Sequence, residues 1–368
     1  MQLPTSARVV TPDLVINGTV QVDGDRIAAI TESEAEPTGW IIPGFIDIHC
    51  HGGNGATYTT GDADQARTAA AFHLRHGTTT TMASLVSSPF DLMLSATKAF
   101  RPLVEEGVLA GIHFEGPYLS DARCGAQNPA ALRDPDVKEI DQLIEAGAGT
   151  VKMMTIAPER DGAIEAIEYL SVQGVIASIG HTDASFEVTQ AAIAAGATAA
   201  THVFNGMRPF NHRDPGPIPA LLDDPRVVCE FIPDPVHLHP GTLAFATHAS
   251  CAPWAVLVTD AMSATGMPDG DYDLGGLKVR VAEGAARLAD DGSIAGSVIT
   301  MDDGFRNAVE LAGIEIPMVS QMASGTPAEL LGLTDVGQIS PGMRADLLVY
   351  SEDLKLQGVM RAGEWIER

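Results

Sequence analysis

Between Ile42 and Thr259 the chain repeats one pattern eight times. A short, mostly apolar run is followed by a longer stretch, at 42–48, 78–86, 108–114, 150–156, 174–180, 198–203, 227–232 and 254–259. Runs this short and apolar read as strands buried on both faces, as in parallel sheets. Ala-rich amphipathic stretches separate most of them, for example 63–76 and 185–195. Strand alternating with helix calls for a parallel sheet, and eight such units predict a closed (β/α)8 TIM-type barrel of class α/β. A doubly wound open sheet is the structural alternative; no G-x-G-x-x-G follows the first strand, which weakens it.

Five of the runs end in metal-type ligands. They supply His49 and His51, Glu115, His181, His202 and Asp260, from strands one, three, five, six and eight. The carboxyl ends of barrel strands form one face, so these groups are expected together. His-x-His on a strand puts both rings on the same side, because side chains alternate with a period of two. Buried imidazoles and carboxylates are costly unless paired or bound to a cation. Imidazole with carboxylate suits a divalent transition metal such as zinc.

Asp260 reads as a base rather than an ordinary ligand. A carboxylate beside a metal-bound water accepts its proton and later donates it to a leaving group, so hydrolysis of a C–N bond follows from these parts. The plainer role for Asp260 is a helix N-cap ahead of Ala261-Met262. A second cluster suits an anion: Asn205-Gly206-Met207 after the sixth strand, Arg213, and His237. Cationic side chains with backbone N–H groups are what a phosphate requires. The plainer role for Arg213 is a surface arginine.

The two ends of the chain read as β-structure. Asn17-Gly18 and Asp23-Gly24 are hairpin turn signals, and 346–350 and 357–366 read as a strand and a hairpin. Residues 1–43 and 341–368 are expected to pair into a small β-sandwich domain flanking a barrel at 44–340. After the eighth strand, 271–295 reads as an inserted hairpin with turns at Gly275-Gly276 and Asp291-Gly292.

Charge narrows the partners. Lys+Arg 22 against Asp+Glu 48 leave a net charge of −26. Nucleic acid and anionic membrane surfaces are therefore excluded as expected partners. No apolar run is long enough to span a membrane. The start shows no basic and apolar export segment. Cys50, Cys124, Cys229 and Cys251 are scattered without metal or disulfide spacing, so reduced thiols and a cytoplasmic location are expected.

Five segments together carry a resemblance: Gly44–Gly52 with its His-Cys-His, His113-Phe114-Glu115-Gly116-Pro117-Tyr118, Gly180-His181-Thr182-Asp183-Ala184, Thr201-His202-Val203-Phe204-Asn205-Gly206-Met207 and Val258-Thr259-Asp260-Ala261. In this order they closely resemble the N-acetylglucosamine-6-phosphate deacetylases of the amidohydrolase superfamily, across essentially the whole chain. His-x-His and the terminal Asp mark the superfamily; Glu-Gly-Pro and Thr-His-x-x-Asn mark the family.

The resemblance implies a metal held by Glu115, His181 and His202, with Asp260 as acid and base. His49 and His51 favour a second ion bridged by Glu115. Zinc is expected first, with iron, cobalt or manganese as alternatives. The resemblance further implies substrate contacts from Ala126, Gln127, Asn205, Gly206, Arg213, His237 and the Ile294-Ala295-Gly296 turn; Gln127 stands where many relatives have His. The implied reaction converts N-acetylglucosamine 6-phosphate and water to glucosamine 6-phosphate and acetate. A homodimer with shared active sites is implied, with Arg213 acting either on its own barrel or on its partner's. The rivals are another amidohydrolase, acting on cyclic amides or purines, and a non-catalytic sugar-phosphate sensor on the same barrel.

Overall fold

The computed structural model describes residues 2–250 and 252–367. Cys251 lies outside the described residues; Cys50, Cys124 and Cys229 are free thiols.

Eight parallel strands form the central sheet: Phe45–Asp47, Thr78–Val86, Gly111–Glu115, Val151–Ile156, Ile176–Ile179, Ala199–Ala200, Val228–Phe231 and Ala255–Leu257. Each falls within, or within a residue of, one of the expected runs. The ladder runs in sequence order from first strand to last. Closure is made just beyond the last strand. Asp260 N donates to His49 O at 2.8 Å, His51 N donates to Ala261 O at 2.8 Å, and Thr259 Oγ1 donates to Asp47 Oδ2 at 2.6 Å. The bonds that close the barrel therefore set the register of His49 and His51 against Asp260.

The period of two sorts the side chains. Phe114, Met154, Ala177, Cys229 and Phe231 pack into the core beneath the helices, whereas Met82, Met153, Ala199, Val228 and Val256 belong to a separate interior cluster. Above that apolar layer lies a polar one. Ser84 Oγ meets His113 Nδ1 at 3.0 Å, His113 Nε2 meets Thr155 Oγ1 at 2.8 Å, and Thr155, Thr201 and Ser178 continue the chain of hydroxyls. This network satisfies His113 and places it outside the ligand set, edge-on to the His49 ring at a centroid distance of 4.7 Å.

Both chain ends build one seven-stranded sheet. Gly39–Pro43 pairs antiparallel with Leu347–Ser351 and parallel with Ala7–Val10, joining the two termini. Asn17-Gly18 is not a turn; it lies inside the strand Val15–Asp23. A Cβ on Gly18 would meet Thr31 O at 2.3 Å, and Asn17 Nδ2 donates to Ser33 O and Ala35 O. Close strand approach, not turn geometry, explains that pair. The insertion is a three-stranded antiparallel sheet, Gly270–Leu274, Leu277–Ala282 and Ala285–Leu288. Its second turn is at Glu283-Gly284, both with positive φ (51° and 76°), as a two-residue hairpin requires. Among the described residues no helix is long and apolar enough to cross a membrane.

Candidate metal and substrate site

The six ligand-type residues converge at the carboxyl ends of the barrel strands. Two trios form, His49 with His51 and Asp260, and Glu115 with His181 and His202. Glu115 lies between them. Its Oε1 is 3.0 Å from His181 Nε2 and 2.9 Å from His202 Nε2, while Oε2 is 3.1 Å from His51 Nε2. Asp260 Oδ1 is 3.1 Å from His51 Nε2 and 3.6 Å from His49 Nε2. All six side chains are buried. No helix starts at Asp260, so it caps none.

Local backbone strain marks the same residues. His181, His202 and Asp260 have φ of 45°, 29° and 49°. Non-glycine residues in that region cost about 1–3 kcal/mol each and persist where surrounding structure over-determines them. Gly206 supports the arrangement: its φ is 58°, and a Cβ there would sit 2.8 Å from His181 Nδ1.

The ring nitrogens fit a divalent metal. His51 Nδ1 faces Ser84 O at 3.0 Å and His181 Nδ1 faces Arg123 O at 2.9 Å. A carbonyl only accepts, so each Nδ1 carries a proton and Nε2 is the atom turned inward, a lone pair whenever the ring is neutral. His49 Nδ1 is held likewise by Glu230 Oε2 at 2.9 Å. Yet His49 and His51 Nε2 approach to 3.1 Å, and His181 and His202 Nε2 to 3.2 Å. Nitrogens this close need a cation between them, a proton in the metal-free protein or a metal ion in its place. The electrostatics agree. Burial would raise the Glu115 pKa, but the charge of His49 and hydrogen bonds from His181 and His202 hold it well below its ordinary value. Burial would likewise raise Asp260, and the His51 hydrogen bond with the charges of His49 and His51 reverses this. Asp260 is thus an anion at neutral pH, as a base must be.

A cavity of about 260 Å³ opens onto these groups, lined in part by Ala126, Gln127, Asn205, Gly206, His237, Ile294 and Gly296. Val86 and Leu274 add apolar surface. A larger cleft of about 590 Å³, between Val10–Val15 and Pro317–Gln321, has no histidine in its lining. It lacks the donors for this chemistry.

Three expected contacts differ. Arg213 is exposed and does not line the cavity of its own chain. Ala295 is fully buried among the apolar residues of the insertion and does not line it either. Gln127 does line it, but its amide is committed to Glu115 and Ser87. His237 is oriented by Asp234, whose Oδ2 accepts from Nδ1 at 2.8 Å.

Comparison with known proteins agrees with this geometry. The amidohydrolase family pattern matches residues 40–366. The chain belongs to the amidohydrolase family. This amidohydrolase is 37% identical over 354 residues to an N-acetylglucosamine-6-phosphate deacetylase of Lysinibacillus sphaericus, covering 94% of this chain and 91% of that one. It is 35% identical to an N-acetylgalactosamine-6-phosphate deacetylase of Escherichia coli O157:H7, covering 91% and 89%. Its fold superposes with a TM-score of 0.94 on N-acetyl-D-glucosamine-6-phosphate deacetylase from Mycobacterium smegmatis, solved as a variant in complex with N-acetyl-D-glucosamine-6-phosphate, at 42% identity and 98% coverage of both chains.

Sequence reasoning about this amidohydrolase missed Glu230, Asp47 and Ser84, which touch the ligand histidines or close the barrel beneath them. Glu230 carried a usable signal, a lone carboxylate within the apolar run Val227–Ile232. Asp47, between Ile46 and Ile48, carried the same signal, whereas Ser84 carried none, because a serine in a strand is unremarkable.

Proposed function

We propose that this chain hydrolyses the acetamide of N-acetylglucosamine 6-phosphate, releasing acetate and glucosamine 6-phosphate. The observation that carries the reading is a buried Asp260 within two adjoining trios of metal-type ligands that open onto a small cavity. The family membership and the similarity to amino-sugar-phosphate deacetylases support it.

Glu115, His181 and His202 would hold one divalent ion, and His49, His51 and Asp260 a second, zinc first. Metal held there would polarise the acetamide carbonyl and make water a stronger acid. Asp260 takes a proton from the attacking water as the new C–O bond forms. It returns that proton to the nitrogen as the C–N bond breaks, so the amine departs neutral and acetic acid remains, which loses its own proton to become acetate. Val86, Leu274 and Ile294 offer the apolar surface that an acetyl methyl group needs. His237 and Asn205, which line the cavity, would meet the phosphate.

Arg213 is the remaining cation for that phosphate, delivered to the partner's site in a homodimer. Its exposure on 209–214, away from its own cavity, supports this reading. The barrel at 44–340 and the small β-domain of 1–43 with 341–368 act as two units of one cytoplasmic enzyme.

The test is acetate release from N-acetylglucosamine 6-phosphate, set against the unphosphorylated sugar and against N-acetylgalactosamine 6-phosphate, its epimer at C4. The proposal predicts a clear preference for the gluco phosphate. No acetate from either phosphate by metal-loaded protein would contradict it.

A further inference from the structure

Glu230 is a fully buried carboxylate in the seventh barrel strand, Val228–Phe231. Cys229 and Phe231 pack beneath the helices and Val228 joins the interior core. The period of two therefore turns Glu230 into the barrel. There a single oxygen serves two elements. Glu230 Oε2 accepts from His49 Nδ1 at 2.9 Å and from the His202 backbone N–H at 3.2 Å. His49 belongs to one ligand trio and His202 to the other. Glu230 Oε1 has no hydrogen-bond partner.

A buried carboxylate persists only where positive charge compensates it. Among the described residues Glu230 has no Lys or Arg partner; its ion pair is with His49. Glu115 and Asp260 likewise pair only with histidines. Asp47, also fully buried, is in no ion pair among the described residues and is hydrogen-bonded to Thr259. Glu115, Glu230 and Asp260 thus have only imidazoles as ion-pair partners, and divalent ions held by the two trios would offset their charge.

We infer that Glu230 is a positioning residue for the metal centre: its oxygen aims His49 Nε2 at the second ion and holds that half-site in register with the strand end bearing His202, while its negative charge makes that imidazole a stronger donor. This rests on the metal reading given above. It separates geometry from charge. In E230Q the amide oxygen can still accept both N–H groups, so the architecture survives while the negative charge is lost. In E230A both acceptors vanish. A merely structural tether would make E230A less stable and leave the metal content of E230Q untouched.

The test measures zinc bound per chain across a graded series of chelator concentrations, for wild type, E230Q and E230A, with thermal melting of the apoproteins alongside. Loss of an outer partner of a ligating histidine weakens metal binding by about 10–100-fold. The expected result is two zinc ions retained by wild type, and release of one from E230Q at chelator concentrations about 10–100-fold lower. The other ion should be released at the same chelator concentration as from wild type. E230A should weaken both. Should E230Q not fold, E230D keeps the charge but shortens the reach to His49, and the same single-ion loss is expected. A retention curve for E230Q, or for E230D in its place, that overlies a doubly loaded wild type overturns the inference alone. A wild type that binds no zinc overturns the metal reading, and this inference with it.

Discussion

Gln127 Nε2 donates a hydrogen bond of 2.6 Å to Glu115 Oε2, while its Oε1 accepts from Ser87 N at 2.7 Å. A backbone N–H can only donate, so the amide orientation is fixed and its NH2 group must face the carboxylate. Gln127 thus holds the carboxylate whose two oxygens meet His51 on one side and His181 and His202 on the other. Gln127→Leu should weaken zinc retention by about 10–100-fold, the usual effect of losing a partner of a metal ligand, and should lower kcat. Chelator competition measures the first and steady-state kinetics the second. A rise in KM alone, with zinc retention unchanged, would show that Gln127 only meets the sugar.

Metal loading should release protons. Burial lowers the His51 pKa, but hydrogen bonds to Asp260 and Glu115 and their charges outweigh it and push it up to about 9. A ligating imidazole must be neutral, so metal affinity should rise with pH between 7 and 9 and then level. In the metal-free protein the sign is reversed for stability. A histidine raised above its usual 6.5 stabilises the fold fully below that pH and loses this contribution as pH climbs through 9. Calorimetry in buffers of different ionisation enthalpy reads the proton release directly. Affinity that stays flat from pH 7 to 9 would count against this account of His51.

Gly206 should not tolerate a side chain. With φ of 58° and its would-be Cβ 2.8 Å from His181 Nδ1, Gly206→Ala is both strained and crowded. A loss of about 1–3 kcal/mol is expected from the backbone alone, together with weaker metal binding through the displaced ring. Denaturant unfolding of the apoprotein and zinc content after dialysis check the two effects. Wild-type values for both would mean that the loop yields freely.

Arg213 should act across a dimer. A charge-assisted hydrogen bond contributes about 1.5–3 kcal/mol, so Arg213→Ala should reduce kcat/KM by roughly ten- to a hundredfold. Mixing Arg213→Ala with Asp260→Asn under subunit exchange gives mixed dimers with one intact site, and activity should return. Proven exchange without recovery would assign Arg213 to its own chain or to no site.

The barrel was legible because parallel strands buried on both faces leave continuous apolar runs, and polar residues can end them only where something holds those residues. His49, Glu115, His181, His202 and Asp260 were visible for that reason. Contacts distant in sequence were not. Asn17-Gly18 has the local signature of a turn, and only the approach of Thr31 shows why glycine is needed within a strand. Gln127 and Glu230 act on residues 12 and 181 positions away, which no local pattern reveals. Ala295 and Arg213 differ because a three-residue turn and an exposed loop expose side chains selectively, and sequence cannot say which face they take.

The central claim is that Asp260 moves the proton in amide hydrolysis at this metal-type site. Its most direct test is the rate of acetate release from N-acetylglucosamine 6-phosphate by zinc-loaded Asp260→Asn, with zinc content measured on the same sample. The account predicts a fall of about 10²–10⁴-fold or more, since one group serves as base and then as acid, with the fold intact and Glu115, His181 and His202 still holding zinc. Turnover within threefold of wild type would contradict it.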